Sequence, residues 1–252
     1  EAVPVTTAPE DEDGAAEIIP PIEELTEAET LPSEQAEIPL QQESPSCSPQ
    51  AVESAENKDQ SIGNTEGTPE DAMIVPASME NTLFIGDSRT VGLAEYAQME
   101  GAEFFATVGM SVYEIDKAKV SVPNVGKVTL SELLENQSYD RIYVMLGINE
   151  LGYPFEQLVK KYGDFIQYLQ NAQPDSTIFI LANLHVTKSR SDREKVINNP
   201  AINSFNEAIS GFADNEHIFY LDANCIFDDA DGALAEEKSG DTAHPLAKNY
   251  QE

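Results

Sequence analysis

The chain has 252 residues, with 46 Asp and Glu against 14 Lys and Arg and a formal charge of −32. That balance speaks against a nucleic-acid partner, because phosphate binding needs a basic surface and no Lys/Arg cluster with interleaved aromatic residues occurs. Acidity mainly implies solubility, and the chain lacks the run of about 18 apolar residues that a membrane-spanning helix requires.

Composition divides the chain near residue 80. Residues 1–80 hold 20 of the acidic residues, a single Lys (Lys58), 10 of the 15 prolines and no aromatic residue. Such a segment buries too little apolar surface to offset the entropy of ordering it, so it reads as a disordered acidic stalk or linker. Eighty flexible residues reach on the order of 50 Å. A stalk ahead of a folded domain points to a secreted or surface-tethered bacterial protein, with a cytoplasmic protein bearing an acidic tail as the alternative. The start at Glu1 is compatible with an upstream signal or membrane anchor. Cys47, in "SPSC", lacks the small residues of a lipobox, and Cys225 follows an expected strand in "DANCIF". A bridge between them would tie the tail to the core, and both are expected as free thiols.

Residues 81–252 contain all 19 aromatic residues, 26 acidic and 13 basic ones, which suits one domain of ordinary size. Short apolar runs alternate there with longer stretches of helical period. "TLFIG" (82–86) reads as the first strand and "VGLAEYAQM" (91–99) as the helix after it. "EFFATVG" (103–109) is the second strand, and "TLSELLENQ" (129–137) is a short helix capped by Thr129 or Ser131. "RIYVMLG" (141–147), almost continuously apolar, is the central strand. In 154–173 the stripe Phe155, Leu158, Val159, Tyr162, Phe165, Ile166, Leu169 marks the clearest helix, with Pro154 at its start. "TIFILAN" (177–183), "AINSFNEAISGFA" (201–213) and "HIFYLDA" (217–223) complete a β-α alternation. The expected fold is a three-layer α/β/α domain on a five-stranded parallel sheet, of the flavodoxin-like kind.

Sites on such sheets gather at the carboxyl ends of the strands. Ser88 follows Gly86-Asp87 at the end of the first strand and precedes a helix, whose N-terminal N–H groups favour developing negative charge. A plain N-cap serine is the competing reading. Gly109, after the second strand, allows close approach of a ligand to the backbone. Asn149, after the third, either bonds its own turn or aims an N–H into the crevice. Asp241 and His244, three apart in "SGDTAHPL", fit one turn in which the carboxylate fixes the imidazole tautomer and leaves Nε2 as a base. Individually each is weak, but together they fall in order at the strand ends where this fold converges.

The sequence resembles the SGNH hydrolase superfamily, the GDSL-type esterases and lipases, over about residues 81–252. "IGDSRT" resembles the nucleophile block, "VGMS" the glycine block, "LGINELG" the asparagine block and "DTAHP" the final block. The resemblance implies a catalytic triad of Ser88, Asp241 and His244, with the backbone N–H groups of Ser88 and Gly109 and the Asn149 side chain as the oxyanion hole. It implies no metal and no organic cofactor. Three departures stand out: Thr90 where the motif's name has Leu, Glu150 where the family more often has Asp, and an end at Glu252, eight residues past His244, where the family continues with a helix. "PLAKNYQE" reads as the beginning of that helix, so the helix is expected to be truncated.

The implied activity is hydrolysis of carboxylic esters through an acyl-serine, with short acyl groups such as O-acetyl on carbohydrate as the expected substrates. A lysophospholipase or thioesterase of the same superfamily, or a non-catalytic carbohydrate-binding or scaffold protein on this fold, are the alternatives. A receiver-type module fits poorly, since Asn149 stands where it needs an acceptor Asp. Asp87, Arg89, Glu150 and His185 are candidate substrate contacts, although for His185 a structural role ranks ahead, and His217 reads as structural. The cluster Asp228, Asp229, Asp231 lacks the downstream Glu of a calcium loop and reads as a solvated turn. The expected partner is a small-molecule or glycan ester.

Overall fold

A computed structural model describes residues 78–251. The expected tail, 1–80, therefore lies outside the described residues except for its last three, and so does Cys47.

Five parallel strands form the sheet in the order β2-β1-β5-β6-β7: β1 (Thr82–Gly86), β2 (Ala102–Ala106), β5 (Arg141–Met145), β6 (Thr177–Leu181) and β7 (Ile218–Leu221). Helices α1 (Ser88–Tyr96), α2 (Leu130–Asn136), α3 (Phe155–Ala172), α4 (Lys188–Ser191), α5 (Asn199–Ser210) and α6 (Asn224–Phe227) connect them. A two-stranded antiparallel ribbon, β3 (Val120–Val122) with β4 (Gly126–Val128), was not foreseen. Its strands are three residues each, too short for a period of two to show.

Strand alternation assigns the two faces. Leu83, Ile85, Ile142, Val144, Ile178, Ile180 and Ile218 join one core with α2, α3 and α5. From those helices come Leu133, Leu158, Tyr162, Leu169, Phe205 and Ile209. On the other face Phe104, Phe84, Tyr143, Phe179 and Phe219 stand in register across all five strands, their rings stacked at 4.6–5.7 Å. Each such pair adds roughly 0.5–1.5 kcal/mol beyond simple burial.

Local signals set the helix ends. Thr129 caps α2 in a capping box with Glu132, resolving the choice between Thr129 and Ser131. Asn198 caps α5 by accepting from Ala201 N, so this helix begins two residues earlier than its apolar period suggests. The last described residues, Ala247–Gln251, form a 3-10 turn packed on α1, where Tyr250 meets Tyr96 at 5.9 Å between ring centroids. Cys225, expected as a free thiol, is disulfide-bonded. It lies exposed on α6.

Candidate active site

The site begins with the abrupt change from β1 to α1. Asp87 caps the helix, its Oδ1 accepting from Arg89 N at 3.0 Å, so Ser88 is the first helical residue rather than the cap. Gly86 is required for this turn, because a Cβ there would overlap the Thr90 hydroxyl and crowd the Met145 carbonyl. The result is a half-buried serine at the positive end of a helix.

Across from it, the loop after α6 returns His244. Ser88 Oγ lies 2.8 Å from His244 Nε2, and His244 Nδ1 lies 2.6 Å from Asp241 Oδ2. Asp241 Oδ1 also accepts from the backbone N–H groups of Ala243 and His244, at 3.0 and 2.8 Å. Partial burial would raise the pKa of this carboxyl, but the two backbone bonds and the imidazole outweigh it and hold it down to about 2. The turn thus keeps a charged carboxylate on Nδ1 and leaves Nε2 facing the hydroxyl. Such a relay can take a proton from Ser88 as its oxygen attacks an electrophile.

Gly109 sits in the left-handed region, φ +75°, with nothing within 4 Å of the place where a Cβ would be. Asn149 lies in a 3-10 turn, Ile148–Glu150, and its Nδ2 donates to Met110 O at 3.1 Å and to Asp87 Oδ2 at 3.4 Å. The loops after β1, β2 and β5 are therefore joined through this one amide.

The four candidate substrate contacts are turned largely inward. Asp87 is 0% exposed, Arg89 2%, Glu150 1% and His185 8%. Burial raises the Asp87 pKa, against the opposing pull of Arg89. The Arg89 guanidinium donates from Nη2 and Nε to Ala243 O. Glu150 Oε1 accepts from Val112 N at 2.6 Å, and burial pushes its pKa up to about 6 against the opposing effect of the Val112 N–H and the Ser111 hydroxyl. His185 places Nδ1 2.7 Å from Asp228 and Nε2 2.6 Å from Asn203 Oδ1. Burial alone would lower its pKa, but these partners, with Asp222, raise it. Asp87, Arg89 and Glu150 bond the loops of the site to one another, and His185 ties the loop after β6 to α5 and to Asp228. Sequence reading missed this because a side chain's direction after a strand end depends on the loop it meets.

Two cavities, of about 340 and 400 Å³, open beside α3 and beside α5, and neither is lined by Ser88 or His244. Among the described residues no group of three or more His, Cys, Asp or Glu is placed to hold a metal ion.

A parallel three-layer fold that carries a serine hydroxyl on an imidazole and a carboxylate defines a class of ester-cleaving proteins. The GDSL-like Lipase/Acylhydrolase family matches residues 84–252, and the chain belongs to this family of ester hydrolases. Its structure is similar to that of a Streptococcus pneumonia protein provisionally described as a platelet activating factor: 21% identity, TM-score 0.53, covering 71% of this chain and 82% of the other. A provisionally described GDSL-like lipase of Parabacteroides merdae aligns at 16% identity and TM-score 0.51, over 68% of this chain and 89% of the other. A GDSL-like lipase of Bacteroides thetaiotaomicron aligns at 13% identity and TM-score 0.50, over 67% and 81%. At these identities the likeness is one of fold. No protein in the curated set matches the sequence.

Proposed function

We propose that the protein is a serine esterase that removes short acyl groups, such as acetyl, from carbohydrate, with Ser88 as nucleophile. The reading is carried by the unbroken line from Ser88 Oγ through His244 to Asp241, at 2.8 and 2.6 Å. His244 Nε2 accepts the serine proton while Oγ bonds to the ester carbonyl carbon. The tetrahedral oxyanion then collapses, the acyl–oxygen bond breaks, and the leaving alcohol takes the proton back from His244. Water repeats the sequence on the acyl-serine, releasing the acid and restoring Ser88.

The oxyanion is held by the Ser88 N–H, which as the first helical residue has no intrahelical partner, together with the Gly109 N–H and Asn149 Nδ2. The 3.4 Å contact of Asn149 to Asp87 is the longer of its two, and its donor is the one that an oxyanion takes over.

The test is hydrolysis of p-nitrophenyl acetate, butyrate and octanoate by the wild type and by Ser88→Ala. The acetate ester should be the best substrate, and the variant should lose activity by on the order of 10⁴-fold or more while remaining folded. Undiminished turnover by Ser88→Ala would remove Ser88 from the mechanism, and a preference for octanoate would move the substrate class to lipids.

A further inference from the structure

The ring of Tyr153 stacks on that of Tyr113, with centroids 4.7 Å apart and planes at 20°. Tyr153 nevertheless remains 53% exposed, while Tyr113 is half-buried. One face of the outer ring is thus fixed against its partner and the other meets solvent. A surface tyrosine held in this way has already lost its rotamer freedom, so a ligand that lies on it does not have to immobilise it.

The pair stands at the candidate oxyanion donors. Gly109 and Tyr113 share the loop after β2, and Asn149 and Tyr153 share the loop after β5. Asn149 Nδ2 on Met110 O and Glu150 Oε1 on Val112 N join these loops, and the ring stack is the next rung of the same ladder. Tyr153 N bonds to Glu150 O at 2.9 Å, a turn that keeps the Cα atoms of residues 150 and 153 within about 7 Å. The exposed ring is therefore carried by the same short turn that carries Asn149.

We propose that Tyr153, backed by Tyr113, is a stacking platform for a neutral sugar ring that carries the ester. This inference rests on the glycan-ester reading above and names the residues that recognise the glycan. A flat, rigid aromatic face suits the C–H face of a pyranose, whose hydroxyl edges stay solvated. Residues 81–252 carry 26 acidic against 13 basic side chains, which repels anionic bilayers and uronic-acid polymers and leaves a neutral glycan as the matching partner.

The experiment compares kcat/KM for a partially O-acetylated neutral β-linked oligosaccharide with that for p-nitrophenyl acetate, which has no sugar. Because both rates come from one preparation, their ratio is independent of the active fraction. Tyr153→Ala should lower the ratio about tenfold, mainly through KM on the oligosaccharide, and Tyr153→Phe should keep it within about twofold. Tyr153→Leu, which retains apolar volume without a flat ring, should behave like the Ala variant and serves if the latter fails to fold. A ratio unchanged in both Ala and Leu variants overturns the platform and leaves the glycan reading standing. A wild type that cleaves the nitrophenyl ester but not the oligosaccharide overturns the glycan reading, and the platform with it.

Discussion

The Arg89 guanidinium donates to the carbonyl oxygen of Ala243 from Nη2 at 3.0 Å and from Nε at 3.3 Å, locking the residue after Ser88 to the residue before His244. This link is partly buried and stands beside the contact between Ser88 and His244 themselves. Its effect is on register: a shift of one ångström between Ser88 and His244 breaks a 2.8 Å contact.

Arg89→Met should therefore lower kcat on p-nitrophenyl acetate by about tenfold to a hundredfold. Stability should fall as well, because the variant leaves the Ala243 carbonyl without these donors and the buried Asp87 without its cationic neighbour. Paired kinetics and thermal melts check this. A loss of stability with kcat intact would make Arg89 a structural residue alone.

Asn149→Ala should reduce kcat by about 10² to 10³, the cost of one oxyanion donor. It also frees Met110 O and Asp87 Oδ2, so the loop after β2 loses one of its ties to the loop after β5. Asn149→Asp is the sharper test, since it places an acceptor where the donor stood, beside the buried Asp87. It should be at least as inactive as the Ala variant, and activity retained by the Asp variant would exclude Asn149 as an oxyanion donor.

Much of this arrangement was legible in the sequence, for identifiable reasons. The five strands were found because each is a short apolar run, even where one face is only half-buried, and β1 fell on its observed bounds because Gly86 ends it sharply. Expected strands ran long elsewhere: "TVG" after β2 is apolar enough to continue a strand, yet the left-handed Gly109 turns it into a loop. Ser88, Asn149 and the Asp241–His244 turn could be placed because each directly follows a strand end or sits within one tight turn. The inward direction of Arg89 and Glu150 could not, because it depends on Ala243 and Val112, residues 154 and 38 positions away. Nor does any local signal announce the Tyr113–Tyr153 stack, which exists only because two loops meet.

Asp241→Asn should lower kcat by on the order of 10³ or more, since the amide no longer favours the tautomer that leaves Nε2 as a base. The wild-type carboxyl also carries a pH signature. Its folded pKa lies below the ordinary carboxylate value, at about 2, so its contribution to stability is present above the unfolded pKa and disappears as pH falls through the folded one. Melting temperatures of wild type and Asp241→Asn should therefore converge between about pH 4 and pH 2. A constant gap across that window would mean that the carboxyl is not held charged by its turn.

Glu150 has the opposite sign. Its folded pKa is raised to about 6, so the folded state binds the proton more tightly than the unfolded chain does. The associated stability is complete below the unfolded pKa, near 4.3, and is lost as pH rises through about 6, an order-of-magnitude change of ~2 kcal/mol. Glu150→Gln keeps an oxygen for Val112 N but cannot ionise, so it should remove this dependence. Relative to wild type, the variant should gain stability between pH 4.5 and pH 7 by about that amount, measured by denaturant unfolding at each pH. The Val112 N–H and the Ser111 hydroxyl compensate the charge only in part once it forms, since Oε2 is buried without a hydrogen-bond partner, and the cost falls on the loop that bears Gly109. Activity of the wild type should then decline above pH 6 relative to Glu150→Gln, and parallel pH profiles for the two proteins would show that Glu150 does not govern that loop.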